Sequence, residues 1–275
     1  MIAGVEWWAA NMEICTIVVP CYNEEIRLDT GAFREYLSRS SSVNVIFVDD
    51  GSSDRTLDCL RLLQSEFPEK VDLLANTVNA GKAEAVRAGM LRALANPKVT
   101  IIGFWDADLA TPLHAVEDLL GVFSSHPFVD IVFGSRVKLL GRDIERRAVR
   151  HYLGRVFATC ASLVLGLPVY DTQCGAKLFR ATPELANVLE RPFLSRWIFD
   201  VELVARFIQV NHGGRDQVRN LIYEFPLNSW KDVPGSKLRA KDFLIAAKEL
   251  LVIRHEYLSK GAARKLGTPA LSKLP

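Results

Sequence analysis

Short apolar runs that alternate with longer helical stretches constrain the fold of this 275-residue chain more than any other feature. The runs are rich in β-branched residues and span residues 14–20, 43–48, 71–74, 99–105 and 130–133. Gly, Asp or Asn bounds them, which is typical of strands buried on both faces. The stretches predicted as helices are 26–38, 54–66, 82–95 and 113–124. This alternation predicts an α/β fold with a mostly parallel sheet and helices on both of its faces.

The pattern changes after about Gly134. Residues 145–165 form a basic and then apolar helical stretch, and residues 200–210 and 241–257 are predicted to be helices, the last basic and amphipathic. Residues 178–180 and 224–227 are predicted strands. We therefore expect an N-terminal extension at 1–13, one domain at 14–258 and a polar tail at 259–275.

Composition excludes several classes of protein. With 49% hydrophobic and 24% charged residues, the chain is neither disordered nor a collagen. Five cysteines without a C-x-x-C pair indicate reduced thiols rather than a disulfide scaffold. The longest apolar candidate, residues 156–167, is shorter than the roughly 20 residues of a spanning helix, and no secretory signal precedes it. These features predict a cytoplasmic protein that meets a membrane only at its surface.

Positive charge is concentrated in two segments, although the net charge is only +2. Residues 136–155 carry a net charge of +5 and residues 231–275 one of +6, so the remainder of the chain is acidic. Such segments suit a polyanion, a phosphorylated substrate or an anionic membrane surface, and they also occur on ordinary solvated helices. We predict no nucleic-acid partner.

Acidic side chains follow three of the predicted strands. Asp106 and Asp108 come directly after the fourth, and Asp49 and Asp50 end the second. Because ligands of parallel α/β sheets bind beyond the carboxyl ends of the strands, these residues should meet. Two carboxylates at i and i+2 suit Mg²⁺ or Mn²⁺ that also binds phosphate oxygens. The first strand ends in Pro20-Cys21-Tyr22-Asn23-Glu24-Glu25, where Tyr22 can stack on a base and Glu24 can accept its hydrogen bonds.

Other kinds of site lack sequence support. Asn79-Ala80-Gly81-Lys82 is not a phosphate-binding P-loop, because Gly would be required at Asn76, although Lys82 at a helix start can still contact an anion. The five histidines have no metal-ligand spacing, which argues against zinc and against a Ser-His-Asp triad. A nucleotidyltransferase would need a Gly-rich basic loop, and residues 20–27 contain no glycine.

Eight segments stand in the order and spacing of a known family. Residues 17–27 (IVVPCYNEEIR), 48–56 (VDDGSSDRT), 79–90 (NAGKAEAVRAGM), 106–112 (DADLATP) and 134–136 resemble inverting family 2 glycosyltransferases. Residues 171–180 (DTQCGAKLFR), 197–203 (WIFDVEL) and 235–237 are similar to the dolichyl-phosphate β-glucosyltransferase branch, with the mannosyltransferases next. One departure concerns Cys174 and Ala176, which flank Gly175 where the family tends to have Gly-Phe-Lys.

The resemblance implies a GT-A-type fold that binds a nucleotide sugar with Mg²⁺ or Mn²⁺. Asp106 and Asp108 would hold the metal ion, and Asp108, Arg136 and Asp200 would be catalytic. Arg136 would also meet the acceptor phosphate, together with Arg147 and Arg150. The nucleotide-sugar residues implied are Pro20, Tyr22, Glu24, Asp49, Asp50, Lys82, Asp106, Ala107 and Lys237.

The acceptor separates the functional hypotheses. The leading one transfers a hexose, glucose from UDP-glucose, to a polyprenyl or dolichyl phosphate, which is already anionic and needs no general base. Arg146, Arg147, Arg150 and Arg155, followed by apolar residues 156–167, would suit such a lipid at an anionic membrane. The alternatives are transfer from GDP-mannose, or a saccharide or glycolipid hydroxyl acceptor with Asp200 as base. The same helices could instead pack on the sheet or join two copies in a homo-oligomer.

Overall fold

The computed structural model describes residues 14–146, 148–211, 214–233 and 240–259, except for the side chains of 148–150 and 240–243. The predicted extension 1–13 and all but Ser259 of the predicted tail lie outside these residues. The described strands are β1 Ile14–Cys21, β2 Val43–Asp49, β3 Val71–Ala75, β4 Val99–Trp105, β5 Ile131–Ser135, β6 Asp143–Glu145, β7 Ala176–Arg180, β8 Ile222–Pro226 and β9 Ser229–Lys231. The described helices are α1 Thr30–Arg39, α2 Thr56–Glu66, α3 Lys82–Leu94, α4 Ala115–Ser125, α5 Ala148–Leu165, α6 Pro183–Leu189, α7 Phe199–Val210, α8 Gly214–Leu221 and α9 Ala240–Leu258.

Seven strands form one sheet in the order β3-β2-β1-β4-β7-β5-β8, and β6 pairs with β9 in a separate ribbon. The pairs within β3-β2-β1-β4 and the β5–β8 pair are parallel, which confirms the predicted fold class. Strand β7 is antiparallel to both β4 and β5. Since Ala176 pairs with Trp105, the segment before β7 reaches the edge where β4 ends.

Apolar side chains of alternate strand residues form a core on each face of the sheet. Val18 and Phe104 lie in the core under α3 and α7, whereas Ile17, Val19 and Trp105 lie in the core under α1, α2 and α4. This alternation is the two-residue period of a strand buried on both sides. Within the described part of the chain, none of the helices has the length and hydropathy that a membrane span requires.

Two helices begin later in the chain than predicted, because local hydrogen bonds hold the residues before them in a non-helical conformation. Helix α1 begins at Thr30 rather than at Ile26, since the Asp29 carboxylate accepts from Ala32 N at 2.9 Å and Ile26 is 97% exposed in the turn before it. Helix α4 begins at Ala115 rather than at Leu113, because the preceding chain is held by a bond from Trp105 Nε1 to the Thr111 carbonyl at 2.7 Å.

The region after β5 holds most of the elements that were not predicted, namely β6, α6, α8 and β9. Strand β6 also takes the first residue of the helix predicted at 145–165, so that α5 starts at Ala148. Helix α6 had a sequence signal that went unused. Thr182 caps it by accepting from Leu185 N at 3.3 Å, and Pro183 follows at the first helical position.

Candidate active site

The loops that follow β1 and β2 are hydrogen-bonded to each other and form one wall of the candidate site. Asn23, with φ of 54°, donates its backbone N–H to Ser52 Oγ at 3.0 Å, and its side-chain oxygen accepts from Ser53 N at 2.8 Å. Glu24 N donates to Thr56 Oγ1 at 2.8 Å. Tyr22 directly follows β1 and is 44% exposed, so its ring is accessible to a ligand.

The two aspartates that end β2 do different work. Asp50 accepts from Asn76 Nδ2 at 3.0 Å, from Ala80 N at 2.9 Å and from Gly81 N at 2.7 Å, so its carboxylate shapes the loop before α3. Asp49 is buried, and no donor in the described part of the chain reaches its Oδ1. Because buried acceptors are normally satisfied, Asp49 Oδ1 is suited to a hydroxyl or N–H donor of a ligand.

Glu24 offers a second acceptor of this kind. Its Oε1 accepts from Arg27 Nη2, whereas its Oε2 is buried and meets no donor among the described residues. Burial raises the pKa of Glu24, and the adjacent Arg27 only partly offsets that effect. Glu24 and Asp49 are therefore the carboxylates of this wall with oxygens free for a ligand.

Asp106 lies where β4 and the segment before β7 meet. Its backbone N–H donates to the Gly175 carbonyl at 3.0 Å, and its Oδ1 lies 2.5 Å from Lys82 Nζ. Gly175 packs so closely that a Cβ atom there would lie 1.9 Å from Asp106 Oδ2. Burial acts to raise the pKa of Asp106, but the Lys82 ammonium together with the charges of Lys177 and Arg136 outweighs that effect, and the pKa is lowered. The carboxylate is thus held in one position in its charged form.

Asp108 is placed two residues further on by a turn in which Leu109 has φ of 50°. Its Oδ1 accepts from Ala110 N at 3.2 Å, and its Oδ2 lies 3.9 Å from Arg27 Nη1. Burial and then the Asp106 charge raise the pKa of Asp108. This proximity of two like charges at the carboxyl end of β4 is relieved when a cation binds between them.

The donor set tests whether a metal ion fits. Asp106 and Asp108 supply carboxylate oxygens, and about a third and a quarter of their side chains are exposed. The described residues contain no group of three or more His, Cys, Asp or Glu side chains that could hold a metal ion. Two carboxylates fit Mg²⁺ or Mn²⁺ that takes its other ligands from water and phosphate, and they do not fit a closed structural site.

Arg136 follows β5 and is bound bidentately to Asp171 in the segment before β7. Its Nε and Nη2 donate to the two Asp171 oxygens at 2.7 and 2.8 Å, and its backbone N–H donates to Oδ2 at 3.1 Å. Although burial opposes both charges, the pair lowers the pKa of Asp171 to about 2 and raises the pKa of Arg136. The guanidinium also lies 5.3 Å from the centre of the Trp230 ring. Arg136 is therefore rigid and permanently charged.

Two further arginines extend this positive region. Arg136, Arg146 and Arg155 line a small cavity of about 30 Å³ together with Thr172 and Gln173. Burial and the Arg136 charge lower the pKa of Arg146, and no carboxylate of the described residues lies within ion-pair distance of it. Thr172 Oγ1 and Gln173 Nε2 are buried without a hydrogen-bond partner in that same part of the chain. Asp171 lines the same cavity and already pairs with Arg136, and Arg155 Nη1 donates to the Tyr170 carbonyl at 2.7 Å, so an anion here would chiefly satisfy Arg146, Thr172 and Gln173.

A buried ion pair lies below this region. Lys177, on β7, is 1% exposed, and its Nζ lies 2.5 Å from Asp200 Oδ1 at the start of α7. The ammonium also donates to the Cys174 carbonyl and lies 5.0 Å from the centre of the Phe104 ring. Lys177 further favours the charged form of Asp106.

Comparison with known proteins identifies the family. Residues 16–184 match the family model described as glycosyl transferase family 2. This chain belongs to that family. It is a glycosyltransferase, and the match includes the ends of all the strands described above except β8 and β9.

Several relatives extend over most of this glycosyltransferase. It is 32% identical over 268 residues to the dolichyl-phosphate beta-glucosyltransferase of Saccharomyces cerevisiae, which covers 88% of this chain and 75% of the yeast protein. It is 33% identical over 272 residues to the Homo sapiens enzyme of the same name, covering 92% and 78% of the two chains. The predicted resemblance to this branch is thereby confirmed.

Solved structures support the fold of this glycosyltransferase. Glucosyl-3-phosphoglycerate synthase from Mycobacterium tuberculosis, in complex with Mn²⁺ and UDP-glucose and also phosphoglyceric acid, superposes with a TM-score of 0.62. The match covers 90% of this chain and 82% of the other at 19% identity. At this identity the likeness shows a shared fold and not a shared substrate.

The structure brings together most of the side chains predicted for the site of this glycosyltransferase. Pro20, Tyr22, Glu24, Asp49, Lys82, Asp106, Ala107 and Asp108 lie at or next to the carboxyl ends of β1, β2 and β4 or the start of α3. Arg147 and Lys237 lie outside the described residues, as does the side chain of Arg150. Their assignments stay predictions.

Sequence reasoning missed the roles of Asp171, Gly175 and Lys177 in this site. All three stand in the segment DTQCGAKLFR, which was noted only for its family resemblance. A signal was present for Lys177, because a lysine directly before the apolar residues Leu178 and Phe179 in a strand needs a buried partner.

Proposed function

We propose that this glycosyltransferase transfers glucose, with inversion, from UDP-glucose to a polyprenyl phosphate of the dolichyl type. The names of its relatives support the sugar and the lipid. The observation that carries the proposal is the convergence of Arg136, Arg146 and Arg155 on one cavity beside the segment that seats Asp106. Three arginines and one carboxylate, Asp171, line this cavity, so its net positive charge suits a phosphate-bearing acceptor better than a neutral saccharide.

The donor would bind along the wall formed by the β1 and β2 loops. Glu24 and Asp49 would accept hydrogen bonds from the nucleoside, and Tyr22 would cover it. Asp106 and Asp108 would hold Mg²⁺ or Mn²⁺, which supplies positive charge to the leaving diphosphate. The Lys82 ammonium forms an ion pair with Asp106 and would contact the same phosphates.

The acceptor phosphate would be the nucleophile. A bond forms between one of its oxygens and the anomeric carbon while the bond from that carbon to the diphosphate oxygen breaks. No proton has to leave the nucleophile, because the lipid phosphate is anionic near neutral pH. Arg136 is tied to Asp171 and would orient the phosphate, and Arg146 would supply charge that no described carboxylate neutralises.

The lipid tail requires an apolar surface, and α5 and α9 offer one. These helices contact each other, and both expose large apolar side chains: Tyr152, Val156, Leu163, Leu244 and Leu251. Together with the basic segments, they would dock as a peripheral protein on the cytoplasmic face of an anionic membrane. A homo-oligomer formed through the same helices is the rival use of this surface.

A hydroxyl acceptor with Asp200 as general base is the second candidate. Asp200 is 7% exposed, and its Oδ1 is bound to Lys177. This contact favours a role for Asp200 in holding Lys177 beneath Asp106. The Asp200→Asn variant distinguishes the base role from the role of holding Lys177. If Asp200 is the base, transfer stops in this variant while donor binding persists.

The test is a matrix of donors and acceptors. UDP-glucose, UDP-galactose and GDP-mannose are each incubated with a polyprenyl phosphate, the matching polyprenol or a soluble saccharide, with Mn²⁺, with Mg²⁺ or with EDTA. We expect product from UDP-glucose and the polyprenyl phosphate, none from the polyprenol, and none in EDTA. If only GDP-mannose gives product, the proposed donor is wrong. If the saccharide gives product, the proposed acceptor is wrong.

A further inference from the structure

The chain just before α7 is fixed by two carboxylates rather than by a helix or strand. Glu249 of α9 accepts from Ser195 Oγ at 2.6 Å, from Arg196 N at 3.2 Å, and from the backbone N–H groups of Trp197 and Ile198, both at 3.3 Å. Glu202 of α7 accepts from Leu194 N at 3.0 Å and from Ser195 N at 2.8 Å. Six hydrogen bonds therefore hold residues 194–198.

Within this fixed segment, the side chain of Arg196 points away from the core. Ser195 and Ile198 are buried, whereas Arg196 is exposed and Trp197 is 45% exposed. Glu202 is fully buried and Glu249 is partly buried, and a carboxylate removed from water needs hydrogen-bond donors, so the two side chains hold this turn firmly. Because the backbone is held in one conformation, the direction in which the Arg196 side chain leaves it is fixed.

Arg196 extends to the start of α3, inside the candidate active site. A Cβ atom built on Gly81 would lie 3.4 Å from Arg196 Nη2 and 3.5 Å from Nε, so the guanidinium lies against that glycine. The next residue is Lys82, whose ammonium contacts Asp106. Across the described residues, no hydrogen bond or ion pair engages the Arg196 guanidinium, although its backbone N–H is bound to Glu249. Its five N–H donors are thus available beside the predicted metal and phosphate site.

We propose that Arg196 binds a phosphate group of a substrate and that Glu249 is the positioning residue that aims it. The inference deepens the proposed function and rests on it. A guanidinium grips phosphate oxygens bidentately, which requires a fixed approach of the kind that the Glu249 hydrogen bonds provide. Two phosphate groups meet in this reaction, the donor diphosphate and the acceptor phosphate, and the experiment assigns Arg196 to one of them.

The first measurement compares Arg196→Met and Arg196→Lys with Arg191→Met. Arg191 is an exposed arginine five residues earlier in the same segment and serves as the matched control. The donor arm is calorimetric titration with UDP or GDP, whichever nucleotide the wild type binds, in the presence of Mn²⁺ and without lipid. The acceptor arm is the KM for polyprenyl phosphate at saturating donor.

We expect R196M to weaken one of these constants by at least about tenfold, the effect of losing a hydrogen bond to a charged group. The lysine variant should recover only part of the loss. A change in the donor arm assigns Arg196 to the diphosphate, and a change in the acceptor KM alone assigns it to the lipid phosphate. If R196M changes neither constant more than R191M does, the proposal is wrong.

The donor arm also separates this inference from the proposed function. Because it contains no lipid, it gives a result even if the acceptor is a saccharide. Glu249→Gln tests the positioning role through the same constant. We expect E249Q to weaken the constant that R196M weakens and to add little to it in the double variant, because both act through one contact. Additive losses would show that Glu249 acts independently of Arg196 and would overturn the positioning role. A lower melting temperature with both constants unchanged would assign Glu249 to the stability of α9 alone.

Discussion

A Cβ atom on Gly175 would lie 1.9 Å from Oδ2 of Asp106. The two residues are far apart in sequence and meet because β7 enters the sheet antiparallel to β4, with Ala176 opposite Trp105. The contact leaves the Asp106 carboxylate no room to move toward Gly175. A side chain at position 175 would therefore displace the Asp106 carboxylate.

The Gly175→Ala variant should lose metal-dependent donor binding. An added methyl group displaces the Asp106 carboxylate, and we expect at least a tenfold weaker affinity for UDP-glucose with Mn²⁺, measured by calorimetry. Gly121→Ala is the control, because no atom lies within 4 Å of a Cβ there and the residue is within α4. That variant should bind normally and gain up to about 1 kcal/mol of stability. Normal donor binding by G175A would disprove the packing argument.

The Asp108→Asn variant should lose activity without losing stability. Burial and Asp106 raise the pKa of Asp108, so its charged form destabilises the folded state at neutral pH. Removing that charge should leave the melting temperature equal to or above that of the wild type while Mn²⁺-dependent donor binding is abolished. Calorimetric titration and thermal unfolding on the same sample measure both. If the Asp108→Asn variant in EDTA turns over as fast as the wild type with metal, Asp108 is not a metal ligand.

Lys82 should have opposite effects on the metal ion and on the donor. Its ammonium lies on Asp106 Oδ1 and so competes with a cation for that oxygen. We expect Lys82→Met to bind Mn²⁺ alone more tightly, in titrations followed by electron paramagnetic resonance, and to bind UDP-glucose with Mn²⁺ more weakly. Arg92→Met removes an ion pair to Asp72 at the other end of α3 and should change neither affinity. Weaker Mn²⁺ binding by K82M would show that Lys82 supports the metal site.

The Arg136–Asp171 pair should give the protein an acid-sensitive share of its stability. The pKa of Asp171 is about 2 against an ordinary 3.8, so the pair stabilises the fold above about pH 4 and loses that effect as the pH falls toward 2. The share is about 2 kcal/mol. The free energy of unfolding of Asp171→Asn should therefore approach that of the wild type as the pH falls from 4 to 2. A constant difference across this range would contradict the pairing.

Arg136→Lys keeps the charge but loses the two parallel hydrogen bonds to Asp171. We expect lipid-phosphate transfer to fall at least tenfold, because an ammonium cannot reproduce the bidentate geometry. The kinetic assay with polyprenyl phosphate measures this. Full activity would mean that only the charge at position 136 is needed.

The surface formed by α5 and α9 should bind anionic vesicles. We expect cosedimentation with phosphatidylserine vesicles that weakens with added NaCl and weakens further in a variant with Ser at Leu163, Leu244 and Leu251, which are 77%, 76% and 66% exposed. Leu62→Ser is the control, because Leu62 is an exposed leucine on α2. Equal loss in the control, or vesicle-independent dimers that the triple variant abolishes, would assign the surface to another role.

Sequence alone predicted the parallel half of the sheet, because strands and helices alternate there and each run has a clear boundary. It also predicted that Glu24, Asp49 and Asp106 stand at or just after strand ends on one edge of the sheet, since carboxyl ends of parallel strands share an edge. The contacts of Asp106 with Gly175 and of Arg136 with Asp171 could not be predicted in this way. They depend on the position and direction of β7, and a five-residue apolar strand carries no information about its neighbours.

Lys177 and Asp200 show a second limit. The predicted strand began at Leu178 and so left out Lys177, whose side chain is of a type that is rarely fully buried. Its partner Asp200 stood out only as a candidate base, because sequence does not reveal which charges neutralise each other inside the protein. Ion pairs between distant segments, such as Lys177 with Asp200, appear only once the fold is known.

The late insertion of β7 also sets an order of assembly during synthesis. The strands β3, β2, β1 and β4 can pair as soon as residue 105 has left the ribosome, but β5 has no neighbour in this sheet until β7 or β8 is made. Asp106 is thus synthesised early, and its carboxylate can pack against Gly175 only after about seventy more residues have emerged. A nascent chain therefore carries the Asp106 carboxylate long before the segment that fixes its position has been made.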